Sequence, residues 1–481
     1  MRSLLALLAA ATLTVTSPIA ASAAPELTPA AVDAYLREAM EATGAPGVSV
    51  VVTHDGKVVH AAGYGHDAEG RPVTEDTPMR VASVSKSFTA MAVMTLVERG
   101  AIELDGPVAT QLPGFAMADP RAARITVRHL LNQTSGLSDR TVDIAATERA
   151  TSLADHAASL ADSRLAADPG TRYEYCNVNY DLAARLVEVA SGQRFGDYLR
   201  ERVFGPLGMT SSAVSDQTVR PANGHNSIFG VWLPRPEPAG FLDGSGAGGV
   251  ITTAADMGRW LIAQTGDGRP LVTRHSLEVM HRPTTLRPYG MGWGVEEDGW
   301  LVHSGNLFTY NAVEAVSPKT GYGFAVMTNG AALYEPTYDI MLGLAALSEG
   351  RTPAGPGNDR QLIEAALGAI ALLAGGLGVL GAVRARRWAA RRSGSPWWRI
   401  GPRLVPALVP AAVLAAYPDL VSVLVNGRAV TWAQLTTFPA PLSITVLVAA
   451  LAGSGVTAVR ILALRKLRAP DSAIAVDLAR R

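Results

Sequence analysis

The 481-residue chain has a single cysteine and no net charge. With only Cys176 available, no intrachain disulfide can form, so an exported domain must be held together by its core. The 42 acidic and 42 basic residues balance, which argues against a nucleic-acid partner held by bulk electrostatics. The nine histidines show no H-E-x-x-H or comparable ligand spacing, so we expect neither a metal nor another cofactor.

Lysine is also scarce, and one of its four positions is informative. Lys86 follows Ser83 by three residues at the predicted start of a helix, where the two side chains share a face. Apolar neighbours predict burial that lowers the pKa of Lys86, so that this amine, unlike an arginine, can act as a base. The alternative is a capping serine before a solvated lysine, which a bare S-x-x-K pattern more often means. The remaining lysines are Lys57, Lys319 and Lys466.

The first 24 residues have the three-part pattern of a secretory signal peptide. Arg2 precedes an apolar run over residues 4–15, and Ala21-Ser22-Ala23 offers a cleavage site. We therefore expect the mature chain to be exported.

Residues 348–361 are rich in glycine and proline, which predicts a linker. The part beyond it, residues 362–481, is predicted to be a membrane domain with three transmembrane helices at about 365–383, 404–425 and 440–459. Pro406, Pro410 and Pro418 interrupt the middle span, and whether it crosses fully is left open.

The arginine distribution predicts the orientation of these spans. Basic residues fill the segment 384–403 and follow the last span at 460–468. Under the positive-inside rule both clusters face the cytoplasm, which requires an odd number of spans and puts the preceding domain outside the cell membrane. A soluble helical bundle is the alternative, but the first and last runs show no amphipathic face.

Residues 25–347 mix strand and helix patterns. Strands are predicted at 47–52, 57–63, 290–295, 300–303, 310–316 and 323–328, with hairpin turns such as His54-Asp55-Gly56. Helices are predicted at 88–98, 127–132, 152–161, 181–190 and 195–203. The predicted fold class is α/β of the α+β kind: an antiparallel sheet completed by both ends of the domain and flanked by helices, with an inserted all-helical subdomain and a cleft between them.

Two further local patterns carry candidate site residues. Tyr175 and Asn177, two residues apart before a predicted helix, can offer a phenol and an amide on the same side. Gly305, after His303 and Ser304 on a predicted strand, permits another backbone to approach closely. Each has an ordinary alternative: a turn tyrosine packed on the core, and a strand glycine beside an exposed histidine.

In this order the motifs resemble those of the penicillin-recognising serine hydrolases, which include class C β-lactamases, DD-peptidases of the penicillin-binding proteins and related esterases. Ser83-x-x-Lys86 is similar to the nucleophile motif, Tyr175-x-Asn177 to the second, and His303-Ser304-Gly305 to the third. The segment 129–137 resembles the family loop HLLxHTSGL, with Gln133 in place of its second histidine. The resemblance covers the predicted exported domain and not the membrane segment.

The resemblance implies the following roles. Ser83 becomes acylated while Lys86 takes its proton, Tyr175 relays protons and Asn177 orients the substrate amide. The backbone N–H groups of Ser83 and Asn306 form the oxyanion hole. His303 and Ser304 contact a substrate carboxylate or the edge of the family's β3 strand, and β-lactamases usually have lysine where this chain has His303. Histidine is only partly protonated at neutral pH, so it holds a carboxylate less firmly than lysine does. Histidine at this position resembles certain DD-carboxypeptidases and esterase relatives, which implies a peptidase or amidase acting on D-Ala-ended or similar peptides.

Two other functions remain open at this stage. One is an esterase or weak β-lactamase on the same residues, and the other is a silent binding or sensor protein. The expected partners are a peptide, β-lactam or ester substrate and the lipid bilayer around the C-terminal helices.

Overall fold

The computed structural model describes residues 27–214, 218–238, 244–424 and 429–469. The predicted signal peptide, residues 1–24, lies outside the described residues. The described chain contains a mixed domain followed by long apolar helices.

A six-stranded antiparallel sheet forms the centre of the mixed domain. Its strands lie in the order Lys57–Gly65, Gly47–His54, Gly323–Thr328, Asn311–Val316, Leu301–Asn306 and Gly294–Val295. The first hairpin of the domain therefore pairs with its last strand, with Val48 opposite Thr328. Asp55 and Gly56 make the hairpin turn with positive φ angles, as the Asp-Gly pair predicts. The predicted sheet completed by both ends of the domain is confirmed.

Helices cover both faces of this sheet. The helices Pro29–Thr43 and Thr337–Ser348 pack on one face through residues such as Leu36, Val50 and Phe324. The opposite face carries the helices Ser85–Glu98 and Ala254–Thr265, where Phe88 stacks on Trp260. The helix Ser85–Glu98 is buried almost all round, which accounts for its apolar sequence.

The middle of the domain is mainly helical, as predicted. Its helices include Val108–Gln111, Val127–Leu131, Ile144–Glu148, Leu153–Ala158, Val178–Ser191, Phe195–Leu199 and Gly205–Leu207, with 3₁₀ turns at Ala82–Val84 and Pro120–Arg124. The helix Arg274–His281 follows later in the chain. Two small sheets join these parts: Met79–Arg80 with Ile251–Thr252, and Gly330–Ala331 with the hairpin Gly224–Ile228 and Val231–Arg235.

Two predicted elements differ from the structure. The strand predicted at 290–295 is only Gly294–Val295, because Gly292 has a positive φ and lies against the backbone of Lys86 and Ser87. The helix predicted at 195–203 ends at Leu199 and continues as a π-helical turn, Arg200–Phe204. The first departure follows from tertiary packing that a local pattern does not contain.

The C-terminal region contains two helices long and apolar enough to cross a membrane, Asp359–Val383 and Ala440–Arg468. Between them, Trp397–Ala415 and Tyr417–Leu424 form a pair bent by 67°, which is either a broken span or a re-entrant segment. Short helices at Ala385–Ala390 and Trp432–Leu435 complete this region. The three predicted spans thus correspond to two straight helices and one bent pair, and a count of three stays a prediction.

Candidate active site

Ser83 and Lys86 lie where a 3₁₀ turn becomes a helix. Ser83 is the middle residue of the turn Ala82–Val84 and is half-buried, whereas Lys86 is the fully buried second residue of the helix Ser85–Glu98. The Lys86 amine donates to Ser83 Oγ at 2.9 Å, to Asn177 Oδ1 at 3.0 Å and to the carbonyl of Ala247 at 2.8 Å. An accessible hydroxyl therefore contacts a buried amine among uncharged oxygens.

The backbone around Ser83 is held in an unusual conformation. Ala82 has a φ of 49°, a left-handed value that costs free energy for any residue with a Cβ. Gly305, on the strand Leu301–Asn306, lies directly against this turn, and a Cβ added to it would be 2.1 Å from the Val81 carbonyl and 3.0 Å from Ser83 N. The glycine thus lets the strand edge come alongside the backbone N–H of Ser83.

Tyr175 and Asn177 reach the same amine from the opposite side of the cleft. The Lys86 amine lies 4.9 Å from the centre of the Tyr175 ring, and Asn177 accepts its hydrogen bond from just before the helix Val178–Ser191. That helix begins three residues before the predicted start at residue 181. The structure therefore brings all three motif segments to one point.

His303 is buried at the end of an aromatic cluster. Its Nδ1 lies 2.7 Å from the Ser304 carbonyl and its Nε2 lies 3.1 Å from the Tyr289 hydroxyl. Burial is the main cause that lowers the pKa of His303, to about 3. The alternative of an exposed strand histidine does not fit this burial, and the lowered pKa leaves His303 uncharged at neutral pH rather than partly protonated. The side chains of Ser304 and Asn306 are exposed on this strand.

Residues 32–347 match the family described as Beta-lactamase. The chain belongs to this family. Penicillin-binding protein 4 of Amycolatopsis lactamdurans is 33% identical over 316 residues, which cover 59% of this chain and 81% of that protein. Protein flp of Staphylococcus aureus strain MW2 is 26% identical over 63% of this chain, and the match spans only 64% of the length of that relative.

Solved structures share the fold of this β-lactamase-family domain. The octameric penicillin-binding protein homologue from Pyrococcus abyssi aligns with a TM-score of 0.59 and 26% identity, over 68% of this chain and 78% of that chain. D-alanine carboxypeptidase AmpC from Burkholderia cenocepacia aligns with a TM-score of 0.51 and 23% identity, over 62% and 93%. The family match and the similarity to penicillin-binding protein 4 identify a serine hydrolase of the β-lactamase and penicillin-binding protein kind.

Gln133 supports the Tyr175–Asn177 segment, a role that our sequence analysis did not assign. Its side-chain oxygen accepts from the N–H of Cys176 at 3.1 Å and from Asn179 Nδ2 at 2.6 Å. Its own φ of 62° turns the loop so that its carbonyl accepts from Glu174 N at 2.9 Å. The only signal in the sequence was that Gln133 occupies the position of a family histidine.

Asp181 fixes the third acceptor of the Lys86 amine. Its carboxylate accepts from Ser245 Oγ at 2.7 Å and from the N–H of Ala247 at 3.2 Å, so that the Ala247 carbonyl points to Lys86. His156 lies on its other side, with Nε2 3.4 Å from an Asp181 oxygen. These contacts join residues far apart in the chain, and no local pattern identifies them.

Within the described ranges, no group of three or more His, Cys, Asp or Glu side chains is placed to hold a metal ion. The groups available for chemistry at this site are the hydroxyl, amine and phenol described above. A serine hydroxyl beside a buried amine can be deprotonated as it attacks a carbonyl carbon, which is the arrangement that acyl transfer needs.

Proposed function

We propose that this chain is a membrane-anchored, extracytoplasmic serine acyl hydrolase that forms an acyl-enzyme on Ser83 and acts on peptides as a DD-carboxypeptidase does. The observation that carries the proposal is the contact of 2.9 Å between the buried Lys86 amine and Ser83 Oγ. A serine is a weak nucleophile without an adjacent base, and this contact supplies one.

In the proposed acylation step, Ser83 Oγ forms a bond to the carbonyl carbon while its proton passes to the neutral Lys86 amine. The N–H groups of Ser83 and Asn306 stabilise the oxyanion, and removing one such donor typically costs about 3 to 4 kcal/mol of barrier. The C–N bond then breaks, and Tyr175 transfers a proton to the leaving amine. In deacylation a water molecule gives a proton to Tyr175 and its oxygen bonds to the acyl carbon. The bond between that carbon and Ser83 Oγ then breaks, and Lys86 returns its proton to Ser83 Oγ.

The surroundings of Lys86 support its role as the base. Its amine is fully buried, and the hydroxyl, amide oxygen and carbonyl that it contacts carry no charge. Burial of this kind disfavours a charged amine. The ring of Tyr175, 4.9 Å from the amine, puts the proposed proton relay beside the proposed base.

The substrate assignment is supported by the names of the neighbours and by the predicted location. D-alanine carboxypeptidase AmpC has the same fold as this domain. The cationic segments at 384–403 and 460–468 favour an extracytoplasmic catalytic domain, where D-Ala-ended peptides occur.

A specific observation favours an esterase as the second candidate. Because His303 is neutral at physiological pH, this position supplies no fixed cation for a substrate carboxylate. Substrates without a carboxylate, such as short acyl esters, do not need such a cation and would bind equally well without it.

Labelling with a fluorescent penicillin tests the proposal directly. We expect covalent labelling of the full chain and none of the Ser83→Ala variant, with prior unlabelled penicillin blocking the signal. The kcat/KM values on a D-Ala-D-Ala peptide, a chromogenic cephalosporin and a short acyl ester then rank the substrates. Labelling that survives in Ser83→Ala would contradict the nucleophile assignment. Intact protein that neither labels nor turns over any substrate would indicate a binding protein.

A further inference from the structure

The hairpin Gly224–Ile228 and Val231–Arg235 ends in an apolar tip that faces outward. The seven residues from Ile228 to Pro234 carry no charge. The side chains of Val231 and Leu233 are 59% and 40% exposed. Contiguous apolar side chains on the surface of a water-soluble domain usually mark a binding surface.

The tip contacts the first apolar helix, Asp359–Val383. The carboxylate of Glu364 accepts from Ser227 Oγ at 2.8 Å and from the backbone N–H of Gly230 at 2.6 Å. The ring of Phe229 lies against Gly368, where an added Cβ would be 3.3 Å away. The helix thus satisfies polar groups of the turn and contacts Phe229, while Val231 and Leu233 remain exposed.

A buried ion pair fixes the hairpin to this helix. Arg360 lies 3.6 Å from Glu364, and their side chains are 7% and 1% exposed. Arg360 also donates to Ser227 Oγ at 2.7 Å and to the Thr43 carbonyl at 3.1 Å, and its guanidinium lies 4.7 Å from the ring centre of Trp232. The hairpin and the start of the helix therefore behave as one unit.

The depth of this unit follows from helix geometry. Val383 precedes the arginine-rich segment, so it marks the cytoplasmic edge of the hydrocarbon layer if the helix spans. At a rise of 1.5 Å per residue, Glu364 lies about 28 Å from Val383 and Gly368 about 22 Å. The hydrocarbon layer is about 30 Å thick, so Glu364 lies at its outer edge and Gly368 lies inside it. Phe229, which contacts Gly368, lies at the same depth.

We propose that the hairpin tip, residues 228–234, inserts into the outer leaflet of the bilayer beside the helix Asp359–Val383. Its apolar side chains contact lipid. Gly230 and Ser227 keep hydrogen-bond partners in Glu364, so these polar groups can leave water without losing their hydrogen bonds. The occupant of this surface is therefore lipid rather than a second protein. The inference rests on the proposed membrane anchoring.

Insertion would also fix the height of the catalytic cleft above the bilayer. Asn226 on the hairpin donates to the Phe308 carbonyl, and Glu237 just beyond it accepts from the N–H groups of Phe308 and Thr309. Both loop residues follow Asn306 at the end of the third-motif strand. The rim of the cleft is thus tied to the lipid-facing hairpin, which holds the site within reach of substrates at the membrane surface.

Single cysteine labels test the insertion in the full chain. The native Cys176 is fully buried, so an introduced cysteine can be labelled selectively with a nitrobenzoxadiazole fluorophore. The labelled positions are Val231 and Leu233 on the tip, Leu372 on the helix, which is 81% exposed, and Lys57 as the control. Lys57 follows the His54 end of the strand Gly47–His54. The Gly47 end of that strand, which is the end nearer to the hairpin 224–235, is about 23 Å away. The proteins are placed in vesicles of phosphatidylcholine and phosphatidylglycerol, with and without doxyl-labelled lipid, and penicillin labelling verifies that each variant folds.

We expect doxyl lipid to quench labels at Val231, Leu233 and Leu372 at least threefold more than the label at Lys57. Quenching at Leu372 alone would overturn the hairpin proposal and leave the membrane anchor standing. Absence of quenching at Leu372 as well would overturn the anchor and the hairpin proposal together.

Discussion

Two buried basic side chains occupy equivalent places in two apolar helices. Lys86 is the second residue of the helix Ser85–Glu98, and Arg360 is the second residue of the helix Asp359–Val383. Lys86 donates to a hydroxyl, an amide oxygen and a carbonyl, whereas Arg360 pairs with the carboxylate of Glu364. The first setting suits an amine that gives up its charge, and the second suits a guanidinium that keeps it.

The different partners of Lys86 and Arg360 indicate different roles. A buried charge is costly unless it is paired, and a lysine can avoid the cost by losing a proton. Arginine cannot, so it needs the carboxylate, and the pair it forms joins two parts of the molecule. One helix start is arranged for chemistry and the other for attachment.

Replacement of Lys86, at the start of the helix Ser85–Glu98, should have the largest effect on activity. In Lys86→Arg the guanidinium cannot accept the Ser83 proton, and we expect the rate of acylation to fall by about 10⁴-fold, the upper range for loss of a general base. The rate of labelling by fluorescent penicillin measures this.

Circular dichroism should show that the Lys86→Arg variant is folded, and Lys86→Met provides a second variant without the larger side chain. Lys57→Arg, at an exposed position, should label at the normal rate. Normal labelling of Lys86→Arg would show that Lys86 is not the base.

Removal of the Glu364 carboxylate, near the start of the helix Asp359–Val383, should have the next largest effect, which is on stability. Glu364→Gln leaves Arg360 as a buried charge without its pair, which typically costs about 3 to 5 kcal/mol. We expect this loss in the free energy of unfolding of the full chain in detergent.

The matched control is Glu278→Gln, which breaks the exposed i,i+4 pair between Arg274 and Glu278. Exposed pairs of this kind contribute less than about 1 kcal/mol. Equal effects of the two changes would mean that burial does not distinguish the pairs.

A methyl group at Gly305 tests how tightly the catalytic helix start is packed. The added Cβ of Gly305→Ala would lie 2.1 Å from the Val81 carbonyl, so the strand must move away from Ser83. We expect a loss of about 3 kcal/mol of stability, the upper part of the range for overpacking, and much slower penicillin labelling.

Gly355→Ala is the control for this change, since an added Cβ there meets no atom within 4 Å. A Gly305→Ala variant that is as stable and as reactive as the parent would show that the strand can shift without cost.

The smallest effect concerns the imidazole near Lys86. Because the pKa of His303 is about 3 in the folded protein and about 6.5 in an unfolded chain, the unfolded chain binds the extra proton between these values. Stability should therefore fall as the pH drops below about 6.5, with at most about 2 kcal/mol from this group between pH 7 and 5.

His303→Gln removes this titration, so the variant should lose less stability than the parent over the same interval. Urea unfolding of both proteins at pH 7 and pH 5 measures the difference. Equal losses would mean that His303 is not the buried neutral group described above.

Much of the fold follows from local sequence patterns. The Asp55-Gly56 turn between alternating strands predicted the first hairpin, and the apolar spacing predicted helices in the middle of the domain. The strand at 290–295 failed because Gly292 must pack on the backbone of Lys86, a contact between segments about 200 residues apart. A local sequence pattern contains no information about a contact between such distant segments.

The candidate site was predictable to a similar extent. The spacing of Ser83 and Lys86 on a helix start, and the resemblance of three short motifs, identified the residues that the fold brings together. The supporting contacts of Gln133 and Asp181 were not predictable, since their side chains bond to backbone groups of distant segments. The neutral state of His303 also depends on its burial, which the sequence does not specify.

The order of residues by itself determined the helix and strand periods, the apolar C-terminal runs and the pairing of a serine with a lysine one turn later, because all of these depend on near neighbours in the chain. Tertiary structure decided the left-handed backbone at Ala82, the burial that keeps His303 uncharged and the joining of Arg360 to the hairpin. Those features arise where segments distant in the chain exclude water from one another, and both desolvation and close packing depend on the completed fold.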